Sequence, residues 1–369
     1  MKSNHMPRWF LGLTLWIASA VAVHGQDVVT LLGTGKDGFA GDGGPALQAQ
    51  CGSPFGLVIG PDKAVYVCET TAHTIRRIDP ETKLATTVVG IPGQAGYSGD
   101  GGLATKALCH EPYELRFDTA GHLFFVDMRA HVVRRVDAKT GLITTVAGTG
   151  TAGFSGDGGP ANMARLKEPH SIVLDNQGGL LICDIKNHRV RRVDLKSGQM
   201  ETFAGTGTQG LTPDGAALSG TPLNGPRALE IEPSGNLLLA LREGNALYRI
   251  HREQGTLQHL AGTGKPGYSG DGGPARLAKL AGPKGVALAS NGDIYLADTE
   301  SHTIRAVRSA TGIIETVIGD GQAGDGPDGN PRKCRLNRPH GVFVDALGNV
   351  YVGDSNNHKV RMLRAASPH

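Results

Sequence analysis

The feature that most constrains the fold of this chain is a motif that recurs six times in 369 residues. A Gly-Asp-Gly-Gly phrase, in places degenerate, returns at steps of 54 to 58 residues, with its aspartate at Asp42, Asp100, Asp157, Asp214, Asp271 and Asp325. A second landmark closes an Asp-x-x-Asn-His phrase with the same period, at His73, His131, His188, Asn245, His302 and His358. Because two independent landmarks share one period, the chain consists of six tandem repeats.

Each repeat contains the pattern of four short strands. In the last copy, two apolar β-branched segments (341–345 and 350–354) flank a turn, and residues 359–364 then alternate apolar with basic side chains, as a half-exposed strand does. Complete repeats add a fourth strand such as Ile143 to Ala147. Four antiparallel strands in roughly 40 to 60 residues are typical of a propeller blade. We therefore predict an all-β, six-bladed β-propeller over residues 26–364, with a tail at 365–369.

The two ends of the repeat array are complementary. The sixth copy stops after its third strand at Arg364, and residues 28–35 (VVTLLGTG) match the fourth strand of the second copy, residues 143–150 (ITTVAGTG). We expect the N-terminal strand to complete the last blade, because this pairing closes the ring and removes an open sheet edge.

The third-strand phrases identify a family resemblance. Residues 187–193 (NHRVRRV) and 357–361 (NHKVR) resemble the NHL repeat, and the resemblance extends over residues 28–363. The Gly-Asp-Gly-Gly-Pro-Ala insert and the Ile-Thr-Thr-Val-Ala-Gly strand are similar to those of NHL propellers in exported bacterial proteins and in teneurin ectodomains. The resemblance implies the same six-bladed fold.

The N-terminus has the composition of a signal peptide, which we place at residues 1–25. Lys2 and Arg8 precede an apolar run of fifteen residues, 9–23, which is shorter than the about 20 residues of a spanning helix. Cleavage after residue 25 fits, with cleavage after residue 20 or 22, or an uncleaved anchor, as alternatives. We expect a periplasmic or extracellular protein that is not inserted in a membrane after cleavage. The net charge of +3 gives no footprint for nucleic acid.

The five cysteines are an odd number in a chain whose export would permit disulfides. Cys68 and Cys183 share one repeat position, which holds small residues in other copies and indicates the core. Cys51 and Cys109 lie in adjacent repeats and could form a bridge, with Cys334 as a rival partner for Cys51. No Cys-x-x-Cys occurs, which argues against a thiolate zinc site.

The residues repeated in every blade are interpreted as architecture. We expect each Gly-Asp-Gly-Gly aspartate to bind nearby backbone N–H groups, with calcium as the alternative because carboxylates are hard oxygen ligands. In the Asp-x-x-Asn-His phrases, we expect the aspartate to cap the turn and the histidine to pack against it. The fourth repeat departs from this frame at residues 213–216 and 241–245, either as a relaxed copy or as an adapted contact site.

One position varies while its surroundings are kept. Each repeat begins its innermost strand after a proline, and the next residue differs from copy to copy: Phe55, Tyr113, His170, Arg227, Lys284 and His340. Since inner strands line the axial channel, we expect these side chains to ring one channel mouth on the face that carries the inserts. Tyr113, His170, Arg227, Lys284 and His340 form the candidate site for an acidic or polar ligand; a water-filled lining without a ligand is the alternative.

A second resemblance concerns the two histidines of this ring. Pro169-His170-Ser171 and Pro339-His340-Gly341 are similar to the zinc-holding motifs of peptidyl-hydroxyglycine amidating lyase, a six-bladed relative that uses three such histidines from alternate blades. Here only two are present, on opposite sides of the ring. His170 and His340 are thus the candidate zinc ligands of an incomplete set.

Three functions remain open at this point. The first is a non-enzymatic exported module that binds a protein, peptide or glycan on the insert-bearing face, which the absence of a unique nucleophile, base or metal cluster favours. The second is a metal-assisted lyase or hydrolase at the channel mouth. The third is a purely structural envelope protein.

Overall fold

The basic unit of the fold is a four-stranded antiparallel sheet. In the third sheet, for example, the two inner strands are almost entirely buried, whereas the two outer strands mix buried residues with half-buried or exposed ones. The computed structural model describes residues 1 and 26–366. The predicted signal peptide, apart from Met1, and residues 367–369 of the tail lie outside the described residues. Residues 26–366 form six sheets. In four of them the strands lie in sequence order from the axis outward, and in the other two an earlier strand is added at the outer edge. The predicted all-β, six-bladed propeller is confirmed.

Twenty-five strands make up the six blades. Blade one contains β2 (Pro54–Ile59), β3 (Val65–Glu69), β4 (Thr74–Ile78) and β5 (Ala85–Val89). Blade two contains β6 (Pro112–Phe117), β7 (Leu123–Asp127), β8 (Val132–Val136) and β9 (Ile143–Ala147). Blade three contains β10 (Pro169–Leu174), β11 (Gly179–Asp184), β12 (Arg189–Asp194) and β13 (Met200–Ala204).

The second half of the ring repeats this order. Blade four contains β14 (Ala216–Ala217), β15 (Pro226–Ile231), β16 (Leu237–Leu241), β17 (Ala246–His251) and β18 (Thr256–Ala261). Blade five contains β19 (Pro283–Leu288), β20 (Ile294–Asp298), β21 (Thr303–Val307) and β22 (Ile314–Ile318). Blade six contains β23 (Val342–Val344), β24 (Val350–Asp354), β25 (Lys359–Leu363) and β1 (Val28–Leu32). Short 3-10 helices occupy Ala46–Gln48, Ala104–Lys106, Ala161–Met163, Ile185–Asn187, Ala275–Leu277, Thr299–Ser301 and Ser355–Asn357.

The ring closes as the sequence predicts. Strand β1 pairs antiparallel with β25, with Val28 opposite Leu363 and Thr30 opposite Arg361. The side chains of Val28 and Leu32 are fully buried. Closure therefore joins the two ends of the chain through a ladder of hydrogen bonds and a strip of core.

The inserts between blades cover the outer edges of the sheets. In blade two, Gly101 N donates to Ile143 O (2.8 Å) and Ile143 N donates to Gly102 O (2.9 Å), so the insert runs beside the outer strand β9. The same pairing in blade four forms β14. This placement corrects the prediction that the inserts decorate one face, because part of each insert protects a strand edge that would otherwise be open to other chains.

The core lies between neighbouring blades. Val173 and Leu181 of blade three pack with Leu229 and Leu239 of blade four, for example. All five cysteines are free and buried in these layers, so none of the bridges considered for Cys51, Cys109 and Cys334 is present. Cys68 and Cys183 are core residues, as predicted.

A buried arginine in the third strand holds each insert to its blade, except in blade four. Arg134 donates from Nη2 to the Asp100 carboxylate (2.7 Å) and from Nη1 to Leu108 O (2.9 Å), and its Nη1 lies 3.6 Å from Asp127. The equivalent arginines are Arg76, Arg191, Arg305 and Arg361. The basic residues of the third strand were predicted to face solvent, and for these arginines that prediction was wrong.

The Gly-Asp-Gly-Gly aspartates are structural, but their hydrogen-bond partners are distant in the sequence. Asp100 accepts from Arg134 and from Thr145 N (3.0 Å), whereas nearby backbone N–H groups were predicted. A carboxylate committed to a guanidinium and a backbone N–H does not fit a calcium ligand.

The Asp-x-x-Asn-His residues link strands and blades. Asp127 accepts from His110 N (2.6 Å), ahead of the innermost strand, and the helix that follows the equivalent Asp184 has no side-chain cap. His131 adopts a left-handed φ of 57°, and its Nδ1 accepts from Glu168 N of the next blade (3.2 Å). The predicted roles of capping and of packing against the aspartate are therefore wrong, although both residues are architectural.

Within residues 26–366, no helix has the length and hydropathy needed to cross a bilayer.

Candidate binding site at the axial mouth

The position after the proline is placed by a repeated turn. The residue before each proline has a positive φ, for example 61° at Glu111, 49° at Glu168 and 51° at Arg338, a conformation uncommon for residues other than glycine. Blades four and five use Gly225 and Gly282 there. The innermost strand then pairs with its neighbour in an irregular register, as β10 does with β11 between Pro169 and Ile172. The same turn in six blades brings one side chain per blade to the axis.

The six side chains do meet, as the sequence predicts. The ring of Phe55 stacks on His340 with centroids 3.9 Å apart and meets Tyr113 edge-on at 4.6 Å. Tyr113 meets His170 edge-on at 4.5 Å. We call Phe55, Tyr113, His170, Arg227, Lys284 and His340 the axial ring. These contacts between neighbouring blades, with the burial of every member except Phe55, form a packed layer in place of an open, water-filled lining.

Two cations complete the axial ring. The guanidinium carbon of Arg227 lies 4.6 Å from the centre of the Tyr113 ring. The Nζ of Lys284 donates to Glu300 Oε1 (2.9 Å) and lies 3.2 Å from His340 Nε2. Both cations are about 5% exposed, so they are held at the axis with little access to water.

The charges of the axial ring come from these cations alone. Burial lowers the pKa of His170 to about 3, and burial next to Lys284 and Arg227 lowers the pKa of His340 well below its usual value. Both imidazoles are therefore neutral at pH 7. Burial, with Arg227 nearby, also lowers the pKa of Lys284 to about 7, against the opposing influence of Glu300. Burial and Arg242 lower the pKa of Arg227.

Arg227 differs from its neighbours in having no acceptor. Its Nε is buried without a hydrogen-bond partner, and no ion pair or hydrogen bond within residues 26–366 involves its guanidinium. The carboxylates of the surrounding rim have partners of their own: Glu300 accepts from Arg338 (2.8 Å) and Glu243 from Arg242 (2.7 Å). The mouth therefore presents a buried guanidinium that has no direct hydrogen-bond partner, although Glu243 and Glu300 lie close enough to favour its charged form.

A polar layer adjoins the axial ring further along the channel, and the sequence analysis missed it. Arg116 of blade two lies 2.6 Å from Glu114 on its own strand and 3.4 Å from Glu230 of blade four. Burial raises the pKa of Glu114 to about 7. The cavity between this layer and the ring holds about 20 Å³, room for about one water molecule. The sequence pattern that could have identified this layer is the one that identified the axial ring, because these inner-strand positions also differ from repeat to repeat.

The two histidines of the axial ring do not fit a zinc centre. His340 Nε2 faces the ammonium of Lys284 and its Nδ1 contacts Arg338 O (2.8 Å); His170 Nδ1 contacts Glu168 O (2.6 Å). Among residues 26–366, no group of three or more His, Cys, Asp or Glu side chains is arranged to hold a metal ion. A three-ligand zinc site cannot be assembled here.

Comparisons with known proteins agree with the repeat architecture. The NHL repeat matches at residues 166–193 and 336–362, and the teneurin NHL domain matches at residues 263–324. The chain is 26% identical over 286 residues to Protein SUPPRESSOR OF QUENCHING 1, chloroplastic, of Arabidopsis thaliana, covering 74% of this chain and 27% of that protein. It is 27% identical over 354 residues to mouse Teneurin-4, covering 86% of this chain and 12% of that protein. The chain thus spans about a quarter or less of these relatives.

Solved structures share the fold at low identity. An auxiliary nutrient binding protein from Bacteroides thetaiotaomicron superposes with a TM-score of 0.66 and 17% identity, covering 93% of this chain and 77% of that one. A streptogramin B lyase superposes with a TM-score of 0.52 and 14% identity, covering 86% and 95%. At these identities the likeness shows the fold alone.

Proposed function

Since the chain is a six-bladed propeller built of NHL repeats, we propose that it is an exported binding module whose axial mouth takes an acidic group of a protein, peptide or glycan ligand. The observation that carries this proposal is the buried guanidinium of Arg227, which has no hydrogen-bond acceptor within residues 26–366. A buried charge is costly unless it is paired, and a carboxylate that binds it bidentately relieves that cost.

The neighbours of Arg227 support an anionic ligand. Lys284 supplies a second donor, and its own partner Glu300 is shared with Arg338. Tyr113 holds the guanidinium from one side, which leaves fewer conformations to be lost on binding. The imidazoles of His170 and His340 are neutral and are held by contacts of their Nδ1 atoms with the backbone oxygens of Glu168 and Arg338, so they line the mouth without adding charge.

The comparisons support a binding role in general, without identifying the ligand. One structural neighbour is described as an auxiliary nutrient binding protein, and the family matches are to repeats and a domain of larger proteins. Export, with a periplasmic or extracellular location, is part of the proposal and rests on the N-terminal composition. The lyase or hydrolase alternative lacks a metal centre among the described residues, and no observation favours it over binding.

An array experiment tests the proposed function. The mature chain is applied to acidic glycans and carboxyl-terminal peptides, each beside a neutral counterpart (an uronic acid beside its neutral sugar, a peptide acid beside its amide). We expect the protein to be retained on one acidic series only, and Arg227→Gln to lose this retention. Arg249→Gln is the control and should be retained as the wild type is, because Arg249 lies in the same blade but pairs with Glu232 away from the axis. Equal retention of acidic and neutral members contradicts the proposal.

A further inference from the structure

The fourth blade contains a pocket that the other blades fill. It lies at the outer edge of the blade, has a volume of about 450 Å³ and is lined by Leu211, Ala246, Tyr248, His259 and Gly264, among others. Because every blade repeats the same frame, the other copies show what this space normally holds. The pocket is separate from the axial ring and does not depend on the function proposed for it.

In four blades, an aromatic ring from the insert occupies this position. It stands three residues before the landmark aspartate, as Phe39, Tyr97, Phe154 and Tyr268. The ring packs against the glycine that follows the outer strand: a Cβ placed on Gly150 would come within 2.9 Å of Tyr97, and one on Gly321 within 2.5 Å of Tyr268. In blade four, a Cβ on the equivalent Gly264 meets nothing nearer than a backbone oxygen at 3.8 Å.

The polar end of the ring also has a fixed partner. Tyr97 OH lies 2.7 Å from Thr145 Oγ1, and Tyr268 OH lies 2.9 Å from Thr316 Oγ1. Blade four replaces both members of this pair. Leu211 stands at the tyrosine position and is 82% exposed. His259 stands at the threonine position, where its backbone N–H donates to the landmark Asp214 (2.7 Å), as the threonines do to theirs.

A long basic side chain, which can fill the same space from the third strand, is also absent from blade four. Blade six has no aromatic residue there, but Lys359 at the start of its third strand extends over the equivalent Gly35, with Cε 3.4 Å from a Cβ at that glycine. In blade three, Arg189 holds the same strand position and stacks on Phe154 at 3.7 Å. Blade four has Ala246 at this position. The pocket thus results from two truncations, Leu211 and Ala246.

The remaining walls are suited to an aromatic ring with a hydroxyl group. The back wall is rigid, because Tyr248 OH donates to Thr212 O (2.6 Å). His259 Nε2 contacts Gly262 O (2.6 Å), and an N–H donated there leaves Nδ1 as a hydrogen-bond acceptor. His259 also packs against Tyr248 with centroids 5.3 Å apart, and Arg276 pairs with Asp214 at the rim.

We propose that this blade-four pocket binds a phenol ring, supplied by a tyrosine side chain of a partner or by a free phenolic compound, whose hydroxyl donates to His259. The bound ring takes the position that Tyr97 and Tyr268 occupy in their own blades, and His259 takes the role of Thr145 and Thr316. The volume is within the range of small-molecule sites, roughly 300 to 1,000 Å³.

Ligand-observed NMR titration of the mature chain with 4-methylphenol, with toluene and with N-acetyl-tyrosine amide tests this inference. We expect saturable binding of 4-methylphenol, weaker binding of toluene, and no such preference in His259→Phe, which keeps a ring but removes the acceptor. Tighter binding of N-acetyl-tyrosine amide than of 4-methylphenol assigns the site to a partner's side chain, and the reverse order assigns it to a free phenol.

The Leu211→Tyr variant supplies the decisive comparison, because it restores the ring that the other blades carry. We expect it to weaken 4-methylphenol binding at least about tenfold, or about 1.4 kcal/mol, and to raise the melting temperature. Leu347→Tyr, at another exposed leucine in a turn of blade six, should bind as the wild type does. Absence of saturable binding, or unchanged binding in Leu211→Tyr, overturns the proposal.

Discussion

The guanidinium of Arg227 lies over the ring of Tyr113, with its central carbon 4.6 Å from the ring centre. This contact places a buried cation against an aromatic face that attracts it without neutralising it, since cation–π attraction leaves the hydrogen-bond donors free. Arg227 is thus fixed in position while its donors remain available.

Anion binding at the mouth should depend on pH through Lys284. Burial lowers its pKa to about 7, and the charged groups around it are Glu300, Arg227 and Arg338, with neutral His340 in contact. An anion favours the protonated amine, so affinity should be high below pH 7 and fall as pH rises through it, by up to about tenfold per unit. Titrations of the retained acidic ligand at pH 6 and pH 8 measure this effect. Lys284→Met should reduce the pH dependence, and Glu114, whose pKa is also about 7 and which lines the same small cavity, accounts for any remainder. An undiminished pH dependence in Lys284→Met contradicts the assignment.

The buried arginines should be major determinants of stability. Arg134 is fully buried between Asp100 and Asp127, so Arg134→Ala leaves two carboxylates without their partner and should cost about 3–5 kcal/mol of unfolding free energy. The adjacent Arg135 is partly exposed and pairs with Asp137 on the surface. Arg135→Ala should therefore cost about 1 kcal/mol or less. Urea denaturation of both variants compares them directly, and equal losses would show that the buried ion pairs of Arg134 stabilise the fold no more than the surface pair of Arg135 does.

Removal of the N-terminal strand should open the ring. Val28 and Leu32 are fully buried, and their side chains alone contribute about 3–6 kcal/mol. Their loss also exposes the edge of β25 to other chains. A chain that starts at residue 26 and lacks residues 28–32 should unfold at a lower temperature and aggregate, as followed by thermal denaturation with light scattering. Deletion of residues 366–369 is the control, and it should behave as residues 26–369 do.

The sequence was sufficient to predict the fold because each strand and turn recurs with the same period, so one repeat shows where the equivalent residues of the others lie. The match between residues 28–35 and 143–150 predicted closure by β1, and Val28 is found opposite Leu363. The proline-linked position predicted that Tyr113, His170, Arg227, Lys284 and His340 converge, and they do. In both cases a repeated frame placed each residue, so no long-range contact had to be deduced.

The errors occurred where a side chain contacts residues that are distant from it in the sequence. Arg361 follows an alternating pattern typical of a half-exposed strand, yet it is 1% exposed, because an insert folds over it and supplies Asp325. His131 binds the backbone of the next blade, a contact that no local pattern encodes. The blade-four pocket follows from substitutions at Leu211 and Ala246 that are 35 residues apart in sequence, and their joint effect appears only in three dimensions.

Calorimetric titration of Arg227→Gln with the acidic ligand that the wild type retains is the most direct test of the central claim. If the mouth binds an anionic group through this guanidinium, the variant should lose at least about 2 kcal/mol of binding free energy, the scale of a charge-assisted hydrogen bond, while its melting temperature stays the same or rises as the buried charge is removed. Undiminished affinity in the folded variant would contradict the account.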